Sequence, residues 1–384
     1  MKENEKEYFF EKLKNSNKFI FQENILEKLK SSKLNFLEFA FKNFDGKGEK
    51  LISEMIELNL DINQKNKEKD TPLHVACQYK SNNLKILKFL IDERADINLK
   101  NGNMNTPLQL ICRNHLLSLE LIKYLVEMKS DLNTRNKDLN TPFHYVLANE
   151  KVTMEILKYL IEEKEIKINE TNKLGDVPLH SIFQNKNFNA EMLKYVIEMK
   201  ADLNSKTNLL DTPLHLACTN ESTPFELIEC LIEMKSDLNA KNFYCFTALQ
   251  DICKRNSIEI DTVKYFIEKK SDVNNINSDN ENCLHILSTN SNNYLEIFSL
   301  LIQNKSNLNL KNHNGETPLH LYLLNKNLSL PIIQFLIENK SDLNLTNKSN
   351  SLPLQTRKEN FPQLTNLVYF FKDSTFKVFF NFYF

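Results

Sequence analysis

The chain has 384 residues with 49 basic and 50 acidic side chains, a formal net charge of −1, and it contains 5 glycines, 26 phenylalanines and no tryptophan. A balance so close to zero leaves no global field to draw nucleic acid or acidic lipid. Met1 to Tyr8 is charged and lacks the apolar stretch of a secretory signal, and no run approaches the roughly 20 apolar residues that span a bilayer. A protein of the cytosol or nucleus with no transmembrane segment is therefore expected, and the abundance of Asn and Lys reads as compositional bias without functional weight.

In chain order, Tyr8 to Leu13 and Ile20 to Leu29 read as short helices of an N-terminal cap over residues 1–34. Phe36 to Phe41 with Leu51 to Ile62 reads as a degenerate first repeat. A Thr-Pro-Leu-His-like tetrapeptide then returns with its first position at Thr71, Thr106, Thr141, Val177, Thr212, Thr247, Asn282, Thr317 and Leu352. The step is 35 residues throughout, except for 36 between Thr141 and Val177. A fixed period of this length marks a solenoid, in which each unit buries its apolar face by stacking on the next.

The unit from Thr71 to Asn105 shows how each repeat folds. Thr71 can cap a helix whose first residue is Pro72, where a missing N–H has no partner to lose. Leu73, Ala76 and Cys77 share one face. After the polar stretch Gln78 to Asn83, a second amphipathic helix turns Leu84, Leu87, Leu90 and Ile91 inward. An extended loop through Ala95-Asp96-Ile97-Asn98 and Asn101-Gly102 leads back to Thr106. Eighteen residues into the units stand Phe89, Tyr124, Tyr159, Tyr195 and Tyr265, which read as core packing, and twenty residues in stand Ile91, Ile161, Ile232 and their equivalents. The extra residue falls within Glu163 to Asn169 and reads as a bulged turn or a hinge. Cys77, Cys112, Cys218 and Cys253 all lie six residues after a repeat start. Stacked equivalents sit about 10 Å apart, too far for disulfides, so these are core thiols. The expected architecture is all-α, a solenoid of about nine to ten helix-turn-helix units with short hairpin-like loops. The array would cover 35–351, and a degenerate last repeat with an aromatic tail 352–384. That tail would cap the array, meet a partner or touch membrane.

Thr71-Pro72-Leu73-His74-Val75-Ala76, Leu84 to Leu90 and Ala95-Asp96-Ile97-Asn98 resemble the three blocks of the ankyrin repeat. Two departures stand out. The family's unit has about 33 residues, and here the excess lies between the helices, around Tyr79 to Asn83, where looser turns are expected. The glycine before Ala-Asp is replaced by Arg94, Lys129, Lys200, Lys235, Lys270 and Lys340, so positive-φ positions should be taken by Asn or avoided.

The resemblance implies that the fourth-position histidines His74, His144, His180, His215, His285 and His320, beside Thr71, Thr141, Thr212 and Thr317, tie adjacent turns together. Neighbouring imidazoles about 10 Å apart cannot share a metal ion. Gln109, Gln250 and Gln355 occupy the same slot. No phosphate loop, dinucleotide fingerprint, His-Glu-x-x-His or Gly-x-Ser-x-Gly motif occurs, so no catalytic residue, metal or cofactor is expected.

Ankyrin arrays usually meet partners on the concave side, at the loop tips and the exposed face of the first helix. Most tips here are polar. The exception combines Leu209, Leu210, Phe243, Tyr244 and Phe246 with Lys254 and Arg255 in the following helix. Aromatics and Arg are the residues of binding hot spots. The competing reading has Phe243 and Phe246 pack against neighbouring loops, replacing the proline absent at Ala248. The expected function is a non-enzymatic, monomeric scaffold or adaptor for protein partners. The alternative is a substrate-recognition subunit of a larger enzyme complex, such as a ubiquitin ligase or a signalling assembly.

Overall fold

The computed structural model describes residues 61–78, 84–115, 117–163 and 166–356. The N-terminal cap, the degenerate repeat as far as residue 60, residues 79–83 between the first helices, and the aromatic tail from residue 357 lie outside the described residues. Among the described residues every regular element is helical.

Two compact units divide the chain, the first reaching Phe188 and including Glu198–Ala201, the second holding Asn189–Ile197 and everything from Asp202. In the first unit, α1 (Pro72–Gln78) pairs with α2 (Leu84–Asp92), then α3 (Pro107–Arg113) with α4 (Leu119–Glu127), and α5 (Pro142–Ala148) with α6 (Met154–Lys158), before a 3-10 helix, Pro178–Gln184. The second unit opens with α7 (Ala190–Glu198). It continues through α8 (Pro213–Thr219) and α9 (Phe225–Glu233), α10 (Ala248–Lys254) and α11 (Ile260–Glu268), α12 (Cys283–Thr289) and α13 (Leu295–Gln303), α14 (Pro318–Leu324) and α15 (Leu330–Glu338), and ends in a short 3-10 turn, Pro353–Gln355. Within each unit the first helix of every pair stacks on the first helix of the next.

Side chains two and five residues after each repeat start fill the seam between first helices, for example Leu108 with Ile111 and Leu249 with Ile252, all essentially buried. From the second helices the fully buried pairs stand sixteen and nineteen residues in: Leu87 with Leu90, Ile228 with Leu231, Phe298 with Leu301. The aromatic stripe expected in the core lies beside it instead. Phe89, Tyr124, Tyr195 and Tyr265 are half-buried, and only Tyr159 is buried. A tyrosine hydroxyl needs water or an acceptor. That of Tyr124 donates to Asp92 Oδ1 at 2.7 Å, and that of Tyr265 donates to the Glu233 carboxylate.

The extra residue is absorbed in the second helix rather than in the turn alone. Directly after α6 the chain widens into a π turn, Tyr159–Glu163, the form a helix takes when one residue is inserted. Val177 shows the opposite adjustment. It has no hydroxyl to offer as a cap; the His180 N–H bonds the Val177 carbonyl at 2.9 Å, and the first helix of this repeat winds as 3-10.

Three further sequence expectations need correction. The turns between helices are stitched, not loose: Asn149 Nδ2 donates to the carbonyls of Cys112 (2.8 Å) and Asn114 (2.7 Å), one repeat back, while its Oδ1 accepts the Lys151 N–H. Asn290 and Asn325 do the same in the second unit. Asparagine thus holds fixed structural slots and is no mere compositional bias. The missing glycines, moreover, are not avoided. Arg94, Lys129, Lys200, Lys235, Lys270 and Lys340 themselves take φ between 67° and 71°. At Lys235 its own N–H bonds the Ile232 carbonyl and the Ser236 N–H bonds that of Leu231, the paired closure that ends a helix in a left-handed residue.

Candidate functional site

The loop tips are built from one turn repeated. Asn242 Oδ1 accepts the N–H groups of Tyr244 (3.1 Å) and Phe246 (3.0 Å), while the Asn242 N–H bonds the Phe246 carbonyl at 3.0 Å. Such side-chain-to-backbone bonds let the chain reverse within five residues. Cys245 closes the turn at φ 59°, a position held by glycine at Gly175 and Gly315 and by Leu210 in the preceding tip of the second unit. Successive tips are joined by backbone bonds: Phe243 N–H to the Leu209 carbonyl at 2.8 Å, then Ser278 N–H to the Tyr244 carbonyl at 3.0 Å. At Gly102 the approach is close enough that an added Cβ would stand 2.6 Å from the Glu68 carbonyl oxygen, so a side chain there would need the two tips to shift apart, as they stand where Phe243 makes the same bond.

The ladder sets Leu209 and Leu210 beside Phe243 and Tyr244. Their exposures are 51%, 41%, 62% and 54%, and the two rings stand edge to face with centroids 5.3 Å apart. Four exposed apolar side chains thus stand on two adjoining tips, where isolated exposed leucines would need no explanation.

The other three residues proposed for this surface have different places. Phe246 is only 9% exposed, and the Lys254 ammonium rests 3.7 Å from its ring centre. Arg255 turns into the stack: its Nε donates to the Cys218 carbonyl (2.6 Å) and its Nη2 to those of Ala217 (2.6 Å) and Asn220 (2.8 Å). It occupies the slot of Asn149 and Asn290 and closes the end of α8, so its guanidinium is not offered to a partner. Sequence alone had no means to separate this use of Arg from a hot spot.

Several features escaped the sequence reading. Leu174, Met104 and Leu139 are further exposed apolar tip residues, in the first unit. Their signal was a large apolar residue in or next to the turn slot that prefers glycine. Asp251, in a position held by Leu216 and Ile286 in flanking repeats, is 3% exposed and its Oδ2 has no hydrogen-bond partner. Burial pushes its carboxyl up to about 7, opposed by the positive charge of Lys254 and reinforced by Asp211. A groove of about 350 Å³ opens in the same repeats, lined by Phe246, Lys254, Glu281, Ile286 and Thr289 among others, with Asp251 outside its lining.

The imidazoles are bridges. His74 Nε2 lies 2.9 Å from the Asn105 carbonyl, which can only accept, while Nδ1 faces the Thr71 N–H (3.2 Å) and hydroxyl (2.8 Å). Nε2 therefore carries the proton and the ring is neutral. His144, His215 and His320 repeat the arrangement with Thr141, Thr212 and Thr317. Gln109 and Gln250 supply the same pair of bonds, Oε1 accepting from Thr106 or Thr247 and Nε2 donating to the Asn140 or Glu281 carbonyl. All seven cysteines are free thiols, and burial raises those of Cys77, Cys112 and Cys218. Among the described residues no group of His, Cys, Asp or Glu is placed to hold a metal ion, and no helix is long and apolar enough to cross a membrane.

A search of curated proteins finds no match to the chain. Among solved structures, the crystal structure of the ankyrin repeat domain of Bcl-3, described as a unique member of the IkappaB protein family, is similar at 20% identity. It matches 60% of this chain and 98% of its own with a TM-score of 0.50, which bears on the fold alone. The family pattern described as ankyrin repeats (3 copies) matches residues 37–136, 79–172, 143–242 and 215–312, and the single ankyrin repeat matches 314–348. With its helix pairs, its Thr-Pro caps and its bridging imidazoles, the chain belongs to the ankyrin repeat family.

Proposed function

We propose that the protein is a non-enzymatic scaffold or adaptor that binds a partner protein, and that the tip patch Leu209, Leu210, Phe243 and Tyr244 is its principal contact. Ankyrin repeats generally serve protein–protein interaction. The observation that carries the proposal is the exposed edge-to-face pair of Phe243 and Tyr244 on a hydrogen-bonded turn. Rigid aromatics lose little conformational freedom on binding and dominate interface energetics. A standard interface of about 800 Å² per partner would occupy roughly three or four repeats, leaving room for a second client. Seven free thiols support a reducing compartment, the cytosol or nucleus.

The test is affinity purification of the partner, followed by its dissociation constant with Phe243→Ala and Tyr244→Ala. A loss of tenfold or more is expected with the circular dichroism unchanged. Less than a threefold change, with the fold intact, ends the proposal.

A further inference from the structure

We infer that Asn314 is a site of spontaneous covalent modification, where the side-chain amide is lost as ammonia and the residue becomes aspartate or isoaspartate. The sequence holds two Asn-Gly pairs, Asn101-Gly102 and Asn314-Gly315. In such a pair the glycine's backbone nitrogen, stripped of its proton by base, attacks Cγ of the asparagine. A C–N bond forms, the Cγ–Nδ2 bond breaks, and ammonia leaves with a proton from water, so that a five-membered succinimide stands in the chain. Water then adds to one of the two ring carbonyls and opens it, to aspartate through one and to isoaspartate through the other. Glycine favours the first step because it has no Cβ to obstruct the approach, and asparagine is among the thermolabile residues.

The fold treats the two pairs differently. Asn101 is buried and its carboxamide is engaged at both ends: Nδ2 donates to Asp70 Oδ1 at 2.7 Å, and Oδ1 accepts the N–H groups of Asn103 and Asn105, both at 3.0 Å. Turning its Cγ toward Gly102 would break all three bonds. The nucleophile is held as well. The Gly102 N–H bonds the Glu68 carbonyl of the preceding tip at 2.8 Å, so freeing it requires two tips to part. Asn314 has neither restraint. It is exposed, and its carboxamide makes no hydrogen bond among the described residues. The Gly315 N–H bonds the Asn312 carbonyl, three residues back in its own turn, at 2.8 Å, and local opening of that bond in an exposed tip releases it. Asparagines followed by serine are restrained or hindered. The carboxamides of Asn204, Asn256, Asn277 and Asn290 are all hydrogen-bonded. Asn350 is as exposed and as unbonded as Asn314, but the Cβ of Ser351 obstructs its ring closure.

The two products differ in consequence. Aspartate already holds the same position in other tips, as Asp138 and Asp279, so that product adds a negative charge and keeps the turn. Isoaspartate routes the main chain through Cγ. The former α-carbonyl, which accepts the Lys348 N–H of the next tip at 2.9 Å, then leaves the main chain and becomes a carboxylate branch. The bond between the two tips loses its register, and the tip 347–351 is released from its neighbour.

The experiment incubates the full chain at pH 8 and 37 °C, folded and unfolded in guanidinium chloride, and follows each asparagine by peptide mapping with mass spectrometry. Isoaspartate is scored by enzymatic methyl transfer to its free carboxylate. In the folded chain Asn314 should convert at least tenfold faster than Asn101 and Asn350. In guanidinium chloride Asn101 and Asn314 should convert at rates within about threefold of each other, because the protection of Asn101 belongs to the fold. On ageing, hydrogen exchange at the Lys348 amide should rise tenfold or more in the wild type and stay constant in Asn314→Gln, whose longer side chain closes the ring poorly. Three results overturn the inference: Asn101 converting as fast as Asn314 in the folded chain, Asn314 unmodified there while the unfolded chain converts, or Asn101 still tenfold slower once unfolded. Unchanged exchange at Lys348 in a chain converted to isoaspartate overturns the consequence drawn for the tips.

Discussion

Nε2 of His215 donates to the carbonyl oxygen of Phe246, 3.0 Å away and 31 residues on, so the first helix of one repeat is tied to the turn that carries the next repeat's aromatic tip. Nδ1 of the same ring accepts from Thr212. His215→Gln should keep both bonds, as Gln109 and Gln250 do, and lose less than about 1 kcal/mol. His215→Ala should lose about 2–3 kcal/mol by orphaning buried groups. Urea unfolding of the two variants checks this, and equal losses would speak against the bridge.

Protonation would break these bridges. Burial lowers the imidazoles of His74, His144, His215 and His320, and holds His285 at about 4. The unfolded chain binds these protons at about pH 6.5 and the folded chain resists them. Their contribution is therefore whole above that pH and is lost as pH falls toward the folded-state value. His285 alone accounts for about 3 kcal/mol by pH 4. Denaturant midpoints should fall between pH 7.5 and 5, and His285→Gln should flatten that fall.

Asp251 acts in the opposite direction. Its folded carboxyl titrates at about 7 because of burial, so the favourable, protonated state is complete below about pH 4 and is lost as pH rises through 7. Asp251→Leu, matching Leu216 in the same slot, should stabilise the protein by about 2–4 kcal/mol at pH 8 and by far less at pH 4. Equal gains at both pH values would mean that the carboxylate's charge is not the cause.

Arg255 closes α8 with three carbonyl contacts. Arg255→Ala should lower stability by about 2–3 kcal/mol, while Arg255→Asn, the residue of the equivalent slot in neighbouring repeats, should restore most of it. A partner affinity that fell with Arg255→Asn at unchanged stability would return this residue to the recognition surface.

The left-handed lysines offer a gain instead. Lys235→Gly removes the Cβ clash at φ 70° and should raise the unfolding free energy by about 0.5–1 kcal/mol. No gain in a thermal melt would contradict the assignment of backbone strain there.

The fold was legible because a 35-residue period repeats its cap, its apolar face and its turn, so that each unit checks the others. The tyrosines at the eighteenth position were misread for lack of a partner: nothing local reveals that Asp92 waits for Tyr124. Asn149 was equally silent, since its acceptors lie 35 and 37 residues back. Phe243 and Phe246 look alike in sequence, and only the direction each ring takes from the turn separates an exposed anchor from a buried one. Arg255 and Asp251 depend wholly on neighbouring tiers.

Hydroxyl-radical footprinting of the protein free and bound to its purified partner tests the recognition surface most directly. Phe243 and Tyr244 should be oxidised readily in the free chain and protected fivefold or more in the complex, with buried Tyr322 unreactive in both. Unchanged oxidation of Phe243 and Tyr244 on binding would contradict the account and place the contact elsewhere on the array.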